Sequence, residues 1–230
     1  MPDNNDIRTN VTDAWDSFHN SHVAYLQTLI FVSRAGVATE SDGALLQSYL
    51  DLGRNTATFG MSQIEYFQAN LFFSQVAGLE HFIQRAIRAA ITVYPKKLGS
   101  ATFSLIDIID SDSIDELIHR AVDGYLNKVM YKKPFEYLKD ICEVLSIPQE
   151  RFATNWPNFI EAKARRDAGI HNNWICNDVY LRKIAEAGLA ASVSAGDSLI
   201  PRDEQYIHAV TDELRNVGFT VLKSIHEKYA

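Results

Sequence analysis

The sequence predicts an all-α protein, and three observations lead to this fold class. Apolar residues recur at spacings of three and four over several long segments, which is the period of one helix face. Segments that alternate apolar and polar residues, as strands do, are scarce. The 230 residues include only 11 Gly and 6 Pro, so the chain has few residues that interrupt long helices.

Two helices are predicted near the N-terminus. Thr12 and Asp13 are suitable N-cap residues for the first helix, and Gly36 suits the position that follows its last turn. A second, shorter helix is predicted around residues 44–52. Apolar residues at helical spacing indicate that the first of these helices has a buried face.

The central helix is predicted at residues 62–94, where the apolar stripe is strongest and Pro95 ends the pattern. Glu80 lies within this stripe, beside Leu79 and among small or apolar neighbours. Carboxylates are rarely buried without a partner. The pattern alone therefore slightly favours an exposed or snorkelling carboxylate for Glu80.

Five further helices are predicted in the C-terminal half, each from an N-cap residue or a proline in its first turn. Residues 189–201 are rich in Ala, Ser and Gly and predict a loop before the last helix. The predicted helix starts, in chain order, are Ser111 or Asp112, Pro134, Asn155 or Trp156 before Pro157, Asn177 or Asp178, and Asp203.

The composition excludes several functional classes. The formal net charge is −7, so the chain is not a general polyanion binder and any contact with nucleic acid has to be local. Cys142 and Cys176 are too few for a disulfide framework and lack metal-binding spacing. His19 and His22 share a helix face, but no third ligand completes a set. We therefore expect no metal and no cofactor.

The sequence also lacks the signals of several other classes. No apolar run reaches the ~18 residues that a membrane span needs, and the acidic N-terminal segment does not resemble a signal peptide. The chain has no Walker loop, dinucleotide fingerprint or nucleophile elbow. We expect a cytoplasmic protein that makes no contact with membranes.

The most informative segment is RRDAGIHNNW, at residues 165–174. It places two guanidiniums, a carboxylate and an imidazole at the end of a predicted helix. An arginine can hold a phosphate through two hydrogen bonds and neutralise charge that builds on it in a transition state. A histidine transfers protons near neutral pH. These are the groups that phosphodiester cleavage needs.

The spacing within this segment adds a geometric expectation. Asp167 and His171 are four residues apart and share a helix face, so the carboxylate can orient the ring. Arg166 lies about 140° from His171 around a regular helix. We expect Gly169 to be a place where the helix loosens and brings the two closer together.

Residues Arg166 to His171 resemble the Arg-x4-His motif of HEPN domains, an all-helical family found in many prokaryotic ribonucleases and toxins. Asn172 and Asn173, which follow the histidine, also resemble the family pattern. The position after the arginine is often Asn in the family, and here it is Asp167. A carboxylate there would raise the basicity of the histidine and compete for the arginine.

The resemblance also implies a fold and a domain organisation. The predicted central helix, with Ser74 and Glu80 near its middle, resembles the first core helix of HEPN domains. The implied fold is a HEPN-like antiparallel helical bundle at residues 61–230. Residues 1–60 would then form an N-terminal helical extension packed on this core.

HEPN domains imply metal-independent RNA cleavage by a homodimer, in which two copies of the motif face each other across the interface. His171 would be the general acid or base for attack by a ribose 2′-hydroxyl, Arg166 would hold the phosphate, and Asp167 would orient or tune these groups. An antitoxin or a phage-defence partner is also implied. The remaining candidate residues are Arg165, Asn172 and Lys163 for RNA contacts, and Glu80 and Asn173 for support.

A non-catalytic helical module is the main alternative. Such a module would use the same fold to dimerise, or to bind a partner protein or a nucleotide. Arg166 would then pair with a carboxylate, and His171 would cap a helix C-terminus, where positive charge is favourable. The acidic net charge fits this alternative at least as well as it fits a ribonuclease.

Overall fold

The computed structural model describes residues 4–38, 63–99, 103 and 105–229, and within them it confirms the all-α class. These residues contain no strand, and their only β-type pairing is an isolated bridge between Ile175 and Ser198. Short 3-10 turns lie at Pro95–Leu98 and Gln149–Phe152. The helices are α1 (Asn4–Ala38), α2 (Gln63–Val93), α3 (Leu105–Ile109), α4 (Ile114–Met130), α5 (Pro134–Leu145), α6 (Trp156–Asn172), α7 (Asp178–Glu186) and α8 (Glu204–Lys228).

The start of α1 was predicted wrongly. The helix begins at Asn4, and Thr12 lies inside it, where its hydroxyl donates a hydrogen bond to the carbonyl of Arg8 at 2.8 Å. Ile7 and Val11 are completely buried against the core. Their packing holds the first turns in the helix and outweighs the preference of Thr12 for a cap position. The helix predicted around residues 44–52 lies outside the described residues.

The helix starts that depend on local signals agree better with the structure. α5 begins at Pro134, and the Asn177 and Asp203 side chains cap α7 and α8 by accepting backbone N–H groups. α4 begins slightly later than predicted. Its cap is Ser113, which accepts the N–H of Glu116 at 3.2 Å.

α2 lies at the centre of the molecule and packs against α1, α5, α6 and α8. Its buried apolar stripe includes Phe72, Leu79 and Phe82. α1 contributes to the same core through Ile7, Val11, Ala14 and Phe18. The boundary predicted at residue 60 lies outside the described residues, so the division into two parts stays a prediction.

The end of α6 is a rigid corner. Asn173 and Trp174 both adopt left-handed conformations, with φ of 51° and 63°, and turn the chain back against the helix. The indole of Trp174 stacks on Phe73 with ring centroids 4.9 Å apart. It also lies over Gly169, where a Cβ atom would be 2.7 Å from the ring. The expected loosening at Gly169 is absent, since α6 stays α-helical through Asn172. The glycine instead permits the close approach of Trp174.

The loop predicted before the last helix is present and is tied to this corner. The Leu199 N–H donates to the Trp174 carbonyl at 2.7 Å, and the Cys176 N–H donates to the Asp197 carbonyl at 2.8 Å. Leu199 is completely buried. None of the helices in the described ranges combines the length and apolar character needed to cross a membrane.

Candidate functional site

A cavity of about 380 Å³ lies beside the C-terminal half of α6. The α2 helix forms one wall with Glu80 and Gln84, and α7 contributes Lys183. The end of α4 and the start of α5 form the opposite wall, with Tyr137 among its residues. Arg166 and His171 both line this cavity, so the two main motif residues share one site.

Side chains from a broad sector of the α6 surface line this cavity. Lys163, Asp167 and His171 follow one another at four-residue intervals, and Arg166 lies three residues after Lys163 on the adjoining row. Arg166 and His171 therefore reach the same space from a regular helix, and no loosening of α6 is needed.

Five charged side chains form an alternating chain across the cavity wall. Lys163 Nζ donates to Oε1 of Glu80, and Arg166 Nη2 donates to Oε2 of the same carboxylate at 2.7 Å. Arg166 Nε lies 3.1 Å from Oδ1 of Asp167, and Lys183 Nζ donates to Oδ2 of Asp167 at 2.7 Å. Three cations thus alternate with two carboxylates, and the chain connects α2, α6 and α7.

Glu80 is the buried anchor of this chain. The pattern slightly favoured an exposed or snorkelling carboxylate here, and that interpretation is wrong, because only 6% of Glu80 is accessible to solvent. A buried carboxylate is costly unless it is paired and hydrogen-bonded. The pairing with Lys163 and Arg166 meets this requirement. In return, Glu80 fixes the position of the Arg166 guanidinium.

Asp167 does not contact His171 in the way that the spacing suggested. Its two oxygens face Arg166 and Lys183, and no hydrogen bond joins it to His171 within the described part of the chain. Lys183 approaches from α7 and pairs with the carboxylate at 2.7 Å. His171 lies exposed in the last turn of α6, at the mouth of the cavity.

Arg165, which was predicted to contact RNA, is not among the residues that line the cavity. Its Nε donates to Glu161 at 2.8 Å, its Nη1 donates to the Leu199 carbonyl, and its guanidinium lies 4.3 Å above the Tyr206 ring. Glu161 also accepts the hydroxyls of Tyr180 and Tyr206, each at 2.7 Å. Consecutive residues on a helix are about 100° apart. Arg165 therefore ties α6 to α8 and the loop while Arg166 faces the cavity.

The two asparagines that follow His171 have separate positions. The Asn172 amide donates to the Ile175 carbonyl at 2.7 Å, and its side chain lines a neighbouring cavity. Asn173 is the left-handed residue that ends α6, a conformation that Asn tolerates better than most residues. Its observed role is to end the helix.

Sequence reasoning missed Tyr137 and Lys183 as residues of the site, and it considered phosphate contacts for the Tyr131 and Lys132 turn but favoured an exposed basic turn there. All four residues line the cavity. Lys132 pairs with Asp140 at 2.5 Å. Tyr137 is completely buried in the wall, and its burial, reinforced by the nearby Glu80 charge, raises the pKa of its hydroxyl above the usual value. Tyr137 therefore stays protonated at neutral pH. The only sequence signal for Lys183 was the cluster of Lys and Arg residues near the motif. That signal does not show how far Lys183 lies from the motif residues.

No group of three or more His, Cys, Asp and Glu side chains is arranged to hold a metal ion within the ranges that the structure describes. His19 and His22 stack on each other with ring centroids 6.5 Å apart. His22 is buried and bonded to Gln75 at 3.2 Å, so it is part of the packing between α1 and α2.

Comparison with protein-family models, with curated proteins and with solved structures finds no match for this chain. The resemblance to HEPN domains therefore rests on the motif and its helical context.

Proposed function

We propose that this protein is a metal-independent endoribonuclease of HEPN type, acting as a toxin or in defence. The observation that carries the proposal is that Arg166 and His171 line one cavity together with Lys163 and Lys183. A phosphate in this space would meet cationic donors on one side and an imidazole at the mouth. Those are the requirements for phosphodiester cleavage.

The reaction is an internal transfer of the phosphoryl group. The ribose 2′-oxygen attacks the adjacent phosphorus and forms the O2′–P bond while the bond from phosphorus to the 5′-oxygen breaks. One group removes the 2′-hydroxyl proton and another protonates the leaving oxygen. His171 fills one of these two roles, and the products carry a 2′,3′-cyclic phosphate and a 5′-hydroxyl.

Arg166 would hold the phosphate and neutralise the negative charge that builds on it. Its Nη2 donates to Glu80, its Nε lies 3.1 Å from Asp167 without forming a hydrogen bond, and no hydrogen bond from Nη1 occurs within the described residues. Glu80 and Asp167 thus hold the guanidinium while Nη1 can donate to a ligand. A donor that is already oriented loses little free energy to reorganisation when the substrate binds. Glu80 and Asp167 are positioning residues in this proposal.

A second copy of the chain would complete the site. Cleavage needs both an acid and a base, whereas His171 is the only histidine among the described residues that lines the cavity. Ile170, which precedes it, is half exposed at the cavity mouth. We propose a homodimer in which two motifs face each other and each contributes its His171, as in a two-fold interface. An antitoxin or a defence-system partner would cover this same mouth.

The test is RNA cleavage in excess chelator, with Ala variants of His171 and Arg166. We expect both variants to lose at least about 100-fold in rate, which is the lower range for a general acid or base. His81→Ala and Arg182→Ala are the matched controls, since both residues are exposed and do not line the cavity. Cleavage that survives in folded His171→Ala, or that requires added metal, would overturn the proposal.

The alternative of a non-catalytic binding module is favoured by one observation. Lys163, Arg166 and Lys183 are all paired with carboxylates already, so a ligand has to compete with these pairs. Wild-type protein that dimerises or binds a nucleotide without cleaving any RNA in the same assay would support this alternative.

A further inference from the structure

A second cavity of about 300 Å³ adjoins the first. Tyr131, Ala164, Asp167, His171 and Lys183 line both cavities. Since the same side chains face both spaces, the two cavities are neighbouring compartments of one groove that crosses the last turns of α6. His171 and Lys183 lie where the compartments meet.

The two compartments differ in chemistry. The first contains Lys163, Glu80 and Arg166, whereas the second adds the amides of Asn172 and Asn177 and the exposed side chain of Val179. Asn177 uses its amide oxygen to cap α7, accepting the Tyr180 N–H at 3.0 Å. Its amide NH₂ still carries two donors. Amides and an apolar surface suit a base, while the charged compartment suits a phosphate.

Tyr131 is the most exposed large side chain at this groove. It lies on the turn between α4 and α5, and 90% of its surface is accessible. Its backbone N–H donates to the Val129 carbonyl as the C-cap of α4, and α5 begins three residues later. Tyr131 therefore lies on a short hydrogen-bonded turn beside both compartments. An exposed aromatic ring is a suitable surface for stacking a nucleic-acid base.

We propose that this groove binds single-stranded RNA as two consecutive nucleotides, one in each compartment, with Tyr131 stacked on a base beside the phosphate between them. This inference rests on the proposed ribonuclease function, because it places that phosphate next to His171 and Lys183. Bases in a duplex are already stacked and paired, so they cannot reach Tyr131. The net charge of −7 disfavours contacts along a long stretch of the RNA backbone. Recognition is therefore restricted to this short groove.

The first experiment measures binding without cleavage. A fluorescent 2′-O-methyl RNA strand lacks the attacking hydroxyl, and its dissociation constant is measured by anisotropy, single-stranded and in a duplex. We expect Tyr131→Ala to weaken binding of the single strand by about 5- to 150-fold, the range for loss of one stacked base. Tyr131→Phe should keep the affinity, because it keeps the ring.

Tyr66→Ala is the matched control, since Tyr66 is also an exposed tyrosine and lines neither cavity. It lies 14 residues before Glu80 on α2, which is about 21 Å along the helix. Equal binding by the wild type, Tyr131→Ala and Tyr66→Ala would overturn the inference, and so would equal affinity for the single strand and the duplex.

The second experiment separates this inference from the proposed function. Cleavage that depends on His171 but proceeds with unchanged KM in Tyr131→Ala would overturn the groove assignment alone. Binding of the single strand that depends on Tyr131, without any cleavage of ordinary RNA by the wild type, would support the groove and overturn the ribonuclease. Loss of affinity together with a raised KM in Tyr131→Ala, both restored in Tyr131→Phe, would support both proposals.

Discussion

Replacement of Glu80 by Gln should destabilise the protein strongly, because it removes the anchor of the charged chain. The glutamine keeps the shape of the side chain but leaves Lys163 and Arg166 without their shared carboxylate. Glu80 has 8% of its side chain exposed, and the two cations have 16% each. Water can therefore replace little of the lost interaction.

The magnitude follows from this burial. Removing one partner of a buried ion pair costs about 3–5 kcal/mol. Asp167 still faces Arg166 in the variant, so we expect the lower end, about 3 kcal/mol. In a chain of this length each kcal/mol lowers the midpoint of thermal unfolding by about 2–4 °C, which gives a decrease of about 6–12 °C.

Thermal and urea unfolding, followed by circular dichroism, measure this change. Asp123→Asn is the control, since its ion pair with Arg88 is exposed and such pairs contribute about 0–1 kcal/mol. A second test combines Glu80→Gln with Lys163→Gln. The double variant should lose less stability than the sum of the two single variants, because the pair is coupled. A decrease below about 3 °C in Glu80→Gln, or strict additivity, would refute this account of Glu80.

Three further predictions follow from packing and burial. Gly169→Ala should lower the free energy of unfolding by about 1–3 kcal/mol, because the new Cβ would lie 2.7 Å from the Trp174 ring; urea unfolding measures this. Acidification from pH 7 to 5 should destabilise the protein through His22. Burial lowers the pKa of His22 below the unfolded value of 6.5. Protons therefore bind more readily to the unfolded chain, and the folded state loses stability as the pH falls. Cys142 should resist thiol reagents at pH 8 in the native state, since burial raises its pKa to about 12.

Each of these has an outcome that would contradict it. Gly124→Ala, in an exposed turn of α4 where the added Cβ would meet no other part of the described structure within 4 Å, should stabilise the protein by up to about 1 kcal/mol; destabilisation equal to that of Gly169→Ala would contradict the packing argument. His22→Gln should remove part of the pH dependence between 7 and 5, and an unchanged slope would exclude His22 as its source. Rapid labelling of Cys142 before unfolding would show that the native core admits the reagent.

Several features of the fold were predictable from short stretches of sequence. Pro134 at the start of α5, and the Asn177 and Asp203 caps, depend on the few residues around them. The long apolar stripe of α2 was equally clear, because its period extends over eight turns. Thr12 shows the limit of such signals, since buried contacts with distant helices extended α1 beyond its predicted cap.

The candidate site was predictable in content but not in arrangement. Arg166, Asp167 and His171 were chosen for their chemistry and their spacing on a helix. The pairing of Glu80 with Arg166 depends on contact between residues 86 positions apart. Lys183 likewise reaches Asp167 from another helix and changes the partner of that carboxylate. Such pairings have no local sequence signal.

The sequence by itself determined the helical class, most helix starts near caps and prolines, and the set of groups able to act on a phosphate. These depend on interactions within a few residues of the chain. Only the tertiary structure decided that Arg166 faces a cavity while Arg165 lies against Tyr206, that Glu80 is buried, and that Tyr131 borders a groove of two compartments. The physical reason is that burial and charge pairing depend on which helices pack together, and helix packing sums weak contacts over the whole core.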